Sequence, residues 1–135
     1  MHRSRLIGVI VDCPRDELDA GVRFWARALG ASAQREPNNS RFVRLSGVRG
    51  GLEWLVQPVV PEERAFHLDF ETDNLEAEVR RLEALGARRK KFVRGAHWVM
   101  LAPTGHEFCV LPVQTEDWPA GAITWQAAEH QEQAR

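Results

Sequence analysis

Two hexapeptides in this chain nearly repeat each other. Gly51-Leu52-Glu53-Trp54-Leu55-Val56 and Gly105-His106-Glu107-Phe108-Cys109-Val110 share a glycine, a glutamate two places on, an aromatic residue and a closing valine. Each comes after an Ala-Leu-Gly-Ala helix end, at 28–31 and again at 84–87. Self-similarity on this scale marks a duplicated supersecondary unit, so whatever one copy places the other places again. A chain of 135 residues can bury one substantial core but not two independent ones, and the copies are therefore expected to share it.

Periodicity fills in each copy. Residues 6–12 alternate around β-branched side chains and end at Cys13-Pro14, which predicts a strand closed by a turn. Asp16 is placed to cap a helix over 17–29, where Leu18, Val22, Trp25 and Leu29 recur at helical spacing and Gly30 supplies the stop. Strands are expected at 31–34, 41–45 and 52–56, parted by turn residues at 37–39 and 47–51. The second copy opens with a strand at 66–71, continues with a helix over 75–85 capped by Asp73 or Asn74 and stopped by Gly86, and adds strands at 88–93, 98–101 and 107–111. The order is β-α-β-β-β twice. One domain over 1–115 follows, with module one at about 5–58, module two at about 65–113 and a short linker at 58–64. The tail at 116–135 is polar apart from Trp118, Ile123 and Trp125; it is expected to dock on this chain or on a second subunit, with an amphipathic helix over 123–134.

Composition narrows the function classes. A net charge of −1 with 27% charged residues argues against a nucleic-acid partner, and the one basic run, Arg88-Arg89-Lys90-Lys91, reads as an exposed edge strand. No stretch approaches the ~20 apolar residues of a membrane span, which points to a cytoplasmic protein with no membrane partner. Cys13 and Cys109 lack CxxC spacing and are expected to be reduced, packing thiols.

Matching the two copies pairs Gly8 with His67 and Glu53 with Glu107. Strand alternation then gathers Gly8, Ile10 and Asp12, Glu53, Leu55 and Gln57, His67 and Asp69, and Glu107 and Cys109 on one face, while Trp54, Val56, Leu68, Phe70, Phe108 and Val110 take the face that helices would cover. The same alternation makes the His67, Asp69 and Glu71 side of its strand the wet side, opposite Phe66, Leu68 and Phe70. One histidine and two glutamates are suited to a divalent metal such as zinc, nickel, iron or manganese. They are equally compatible with glutamates standing in water and a hydrogen-bonded structural histidine.

The residues Val11-Asp12-Cys13-Pro14, Phe24-Trp25, Leu29-Gly30, His67-Leu68-Asp69, 75–87 and Gly105-His106-Glu107-Phe108-Cys109-Val110-Leu111 resemble the vicinal oxygen chelate superfamily, in particular its small bacterial glyoxalase-like branch. The superfamily includes glyoxalase I, bleomycin-resistance proteins and extradiol dioxygenases. The resemblance implies an α+β fold in which paired β-α-β-β-β modules form a U-shaped, partly closed mixed sheet around a cavity, with helices outside. It places His67 and Glu107 at two metal-ligand positions and Glu53 at a third, with Glu53 and Glu107 as proton-transferring groups. The first ligand position is Gly8, which offers no side chain. His97 is the substitute candidate, and Asp12, Gln57, Asp69, His97 and Trp98 are expected to line the substrate pocket.

Two functions follow from the resemblance. In one, a single divalent metal chelates neighbouring oxygens of a small substrate and the protein is a lyase or isomerase; a dioxygenase is less favoured, because its 2-His-1-carboxylate triad needs a second histidine that the sequence does not place. In the other there is no metal, and the cavity sequesters an aromatic or cationic compound. Similar proteins are usually homodimers.

Overall fold

The computed structural model describes residues 1–36, 39–60 and 64–126. Two helices and nine strands of a mixed sheet make an α+β fold. Its contacts divide into two units, Gly8–His67 and the combination of Met1–Ile7 with Leu68–Arg135. Strand β1 (His2–Pro14) and strand β5 (Ala65–Thr72) each run from one unit into the other.

In the unit Gly8–His67, the end of β1 leads through a 3-10 turn (Arg15–Glu17) into α1 (Leu18–Leu29), then β2 (Ser32–Glu36), β3 (Asn39–Ser46) and β4 (Glu53–Val59). The turn displaces the expected Asp16 cap: Glu17 is the N-cap, and it makes no side-chain capping bond. Gly30 closes α1 at a φ of 67°, a left-handed value that costs glycine little. β1 and β4 are parallel neighbours, and β4, β3 and β2 follow in antiparallel order. Val11, Cys13, Val22, Val43, Leu45 and Val56 form the core of this unit, with Leu18, Trp25, Leu29 and Trp54 packed against it. The apolar stripe read from 17–29 is therefore the buried side of α1.

The other unit is built on the same plan. After β5 comes α2 (Leu75–Ala84), whose N-cap Asn74 accepts a hydrogen bond from the Ala77 amide at 3.1 Å. β6 (Arg88–Val93), β7 (His97–Leu101) and β8 (Glu107–Pro112) follow, with β8 parallel to β5 and antiparallel to β7. Val79, Ala87, Met100 and Val110 are its core, joined by Leu75, Leu82, Trp98 and Phe108. β6 ends the strand order, so the basic run does lie on an edge strand.

Two further expectations fail. The tail begins as a strand, β9 (Ile123–Trp125), and not as a helix, because it pairs antiparallel with His2–Ser4 and the Trp125 indole donates to Ser4 Oγ at 2.8 Å. The continuation at 127–134 lies outside the described residues, as do parts of the expected turn at 37–39 and linker at 58–64. The second failure concerns β5. Glu71, assigned to a wet face, is fully buried, whereas Phe66 and Leu68 are 57% and 41% exposed. Glu71 is held by Arg5 Nε at 2.7 Å, Thr115 Oγ1 at 2.6 Å and the Gln114 amide at 2.8 Å. Burial would push its carboxyl up, but those bonds more than reverse it and leave the group below the usual carboxylate range.

Candidate functional site

Each repeated glutamate has its own cation. In the unit Gly8–His67, Val43 and Leu45 point into the core, which turns Arg44 of β3 to the opposite face, and its Nη2 lies 3.5 Å from Glu53 Oε1. In the second unit Lys90 of β6 ion-pairs with Glu107 of β8. Both glutamates are partly exposed, at 34% and 49% of their side chains. A matched carboxylate is thus placed twice and offset by a basic residue twice, from the adjacent strand β3 for Glu53 and from β6, two strands away, for Glu107. Sequence reasoning missed both cations, although the alternation of β3 contained the signal for Arg44.

Gly8 stands opposite Glu53 in the β1–β4 register. A Cβ built on Gly8 would come within 2.1 Å of the Glu53 carbonyl oxygen and 3.0 Å of its Cβ. Contacts that short do not occur, so the glycine is required by a close approach of two backbones.

His67 has a different partner from those the duplication suggests. Its Nδ1 lies 2.9 Å from Asp12 Oδ2, on side chains that are 16% and 13% exposed. Asp12 shares its register position with Gln57, so carboxylate and amide lie side by side on one face of β1 and β4. The other carboxylate oxygen, Asp12 Oδ1, is buried and meets no hydrogen-bond partner among the described residues. A carboxylate on Nδ1–H fixes the imidazole tautomer and leaves the lone pair on Nε2.

Asp69 is brought close to His67: the ligand atoms of His67, Asp69 and Cys109 all lie within 4.8 Å of one another, a grouping that could hold a metal ion. Asp69 of β5 faces Cys109 of β8 in register, on the side away from α2. Trp98 is in register with Val110 and packs on the core beneath α2, its ring tilted against that of Phe92 with centroids 4.9 Å apart and the Arg89 guanidinium 5.0 Å from its ring centre. His97 lies at the start of β7 opposite Val93, half-buried.

Tested against a glyoxalase-type metal, the set Gly8, Glu53, His67 and Glu107 fits poorly. One position has no room for a ligand atom, and two carboxylates already face a guanidinium and an ammonium. No helix among the described residues is long and apolar enough to cross a membrane.

The glyoxalase-like domain family matches residues 8–111. No curated protein sequence matches the chain. Among solved structures, a hypothetical protein from Bacillus halodurans C-125 is similar at a TM-score of 0.57 with 10% identity, covering 84% of this chain and 96% of its own. A glyoxalase/bleomycin resistance protein/dioxygenase superfamily member from Vibrio splendidus 12B01 gives 0.52 with 14% identity, over 82% and 99%. Methylmalonyl-CoA epimerase from Mycobacterium tuberculosis gives 0.50 with 15% identity, over 82% and 89%. At these identities the likeness is one of fold.

Proposed function

Since the chain belongs to the glyoxalase-like domain family, we propose that it binds a small organic molecule and does so without a glyoxalase-type metal. The observation that carries this reading is the pairing of Glu53 with Arg44 and Glu107 with Lys90: each cation offsets the charge that a divalent ion would need from its glutamate. The ligand lies against the face that carries Asp12 and Gln57, where buried Asp12 Oδ1 attracts an N–H or O–H donor. An aromatic or cationic compound with such a donor is the expected class. The protein works as a homodimer, and a monomer by light scattering at micromolar concentration would contradict that part.

The test is metal analysis of protein purified without chelators, repeated after addition of nickel, zinc, manganese or iron. No stoichiometric ion that depends on Glu53 or Glu107 is expected, while aromatic amines raise the melting temperature. Stoichiometric metal that disappears in Glu53→Gln or Glu107→Gln would reinstate the lyase or isomerase reading, with His67, Glu107 and Glu53 as ligands.

A further inference from the structure

We propose that His67, Asp69 and Cys109 hold a zinc ion, in a site that uses neither of the repeated glutamates and that Asp12 supports from behind His67. The proposal goes beyond the reading above and shares one premise with it, that Glu53 and Glu107 are occupied by cations. Geometry carries it first. The ligand atoms of the three residues all lie within 4.8 Å of one another. Donors bonded at about 2.0–2.3 Å to a tetrahedral zinc stand about 3.3–3.8 Å apart, so side-chain movements of roughly 1 Å close the three on one ion. The strands explain why these residues meet. His67 and Asp69 are two places apart on β5 and share a face, and Asp69 is opposite Cys109 in the β5–β8 register. Phe108 and Val110, the neighbours of Cys109, pack in the core under α2, which turns the thiol to the other face of the sheet.

Asp12 is the second observation. Its Oδ2 accepts the Nδ1–H of His67 at 2.9 Å, which directs the imidazole lone pair to Nε2, the nitrogen that then takes the ion. A histidine that ligates zinc characteristically gives its other ring N–H to a carboxylate, which fixes the ring and makes it a better donor. Both side chains of the pair are more than four-fifths buried, so the carboxylate acts on the imidazole with little screening from water. Asp12 is accordingly a positioning residue, and the three ligands are His67, Asp69 and Cys109.

Charge and softness select the ion. A thiolate and a carboxylate bring two negative charges, which balance a divalent cation, and the neutral imidazole is the third donor. The thiol proton passes to solvent as the ion binds, and neither oxidant nor reductant is needed. A thiolate and an imidazole favour zinc over magnesium, calcium and manganese, whose preferred donors are oxygens. The glyoxalase-type set differs in each respect: Gly8 brings no donor, and the charges of Glu53 and Glu107 are already offset by Arg44 and Lys90. Three protein ligands leave one of zinc's four positions for water or for an oxygen or nitrogen atom of the bound molecule.

The test uses the untagged full-length protein, kept reduced with a phosphine, stripped of metal with EDTA and dialysed free of the chelator. Zinc chloride is titrated by calorimetry and cobalt(II) chloride by absorption. One zinc per chain is expected, and cobalt should give the ultraviolet charge-transfer band of a thiolate ligand with the intense visible bands of a four-coordinate ion. That spectrum needs no variant at the site, so it reports on the thiolate even where a substitution impairs folding, and the band should persist in Cys13→Ser. Asp12→Ala should weaken zinc by about 10–100-fold, the usual cost of losing the carboxylate behind a ligating histidine. Asp69→Asn and Cys109→Ser should each weaken it further, whereas Glu53→Gln and Glu107→Gln should leave it unchanged. Absence of stoichiometric zinc, a thiolate band that is missing or leaves with Cys13, or affinity unchanged in Asp69→Asn and Cys109→Ser overturns the site. Zinc that needs Glu53 or Glu107 as well as Asp69 and Cys109 overturns the reading of the glutamates instead, so the two failures are distinguishable.

Discussion

Among the described residues, His2 in one unit and His67 in the other each face a carboxylate at hydrogen-bond distance, and they differ in what surrounds the carboxylate. His2 Nε2 lies 2.7 Å from Glu78 Oε1, and Arg81 clasps the same carboxylate with Nε and Nη2, both at 2.8 Å. Trp125 of β9 covers the arrangement, with the Arg81 guanidinium 3.7 Å from its ring centre. Glu78 is completely buried, and both of its oxygens are engaged. In the His67–Asp12 pair one oxygen is engaged and the other is not. The same two functional groups therefore make a closed structural network in one unit and, in the other, a pair whose carboxylate keeps one buried oxygen without a hydrogen-bond partner among the described residues. What separates them is the count of satisfied lone pairs, because a buried acceptor left unpaired costs stability unless something outside the chain pairs with it.

Removing the closed pair's carboxylate should have the largest effect. Glu78→Ala strands a buried guanidinium and an imidazole together, which costs about 3–5 kcal/mol of unfolding free energy by urea titration. The pH dependence belongs to the same network. Burial raises the Glu78 carboxyl, and hydrogen bonds from Arg81 and His2 bring it below its ordinary value, as those of Thr115, Gln114 and Arg5 do for Glu71. Groups with depressed native pKa values bind fewer protons folded than unfolded. Their stabilisation is full above the unfolded value near 4.5 and is lost as pH falls through the lower native value. Stability should thus fall steeply below about pH 4.5, and Glu71→Gln should flatten that fall without moving the plateau's onset. A slope unchanged by the substitution would remove Glu71 from the account.

Gly8 offers the next largest effect. A methyl group there meets the Glu53 carbonyl, so β1 and β4 must part, and Gly8→Ala should cost about 1–3 kcal/mol. Gly8→His should cost at least as much and acquire no nickel or zinc beyond what the unmodified protein holds in dialysis with metal analysis. Gain of a metal by that variant would show that the ligand set needs only its fourth member.

Much of this was legible in the residues. Alternation and helical spacing found every long element, and the split between Trp54, Val56, Phe108 and Val110 on one face and Glu53, Glu107 and Cys109 on the other holds in the register. Periodicity gives a side chain's face, but it is silent on what a distant segment brings to that face. Glu71 reads as an exposed acid because its partners, Arg5 and Thr115, lie 66 and 44 residues away. Trp98 reads as a pocket residue until its register with Val110 puts it under α2. The Asp12–His67 pair crosses 55 residues, and no motif joins the two.

A smaller effect sharpens the closed side of the comparison. Trp125→Ala removes the ring over Arg81 and the indole bond to Ser4, but leaves the Glu78 pairing intact. A loss of about 1–2 kcal/mol is expected, the range of a partly desolvated cation–π contact with one hydrogen bond. Hydrogen exchange should rise at His2–Ser4, which loses its β9 partner, and stay unchanged at α2.

Asp12→Ala should move stability least. The substitution removes one hydrogen bond to His67, worth about 1 kcal/mol, and also removes a buried oxygen whose lack of a partner already costs about as much. These terms oppose each other, and the net change should lie within about 1 kcal/mol of zero, on either side. Glu78→Ala has no such offset, because no oxygen of that carboxylate is unpaired. A small or stabilising change at Asp12, set beside a large loss at Glu78, is the signature of a carboxylate retained for a ligand, since sites kept for function are often suboptimal for stability. Equal losses at the two positions would make both pairs structural, and the open oxygen would then lose its meaning as a binding site.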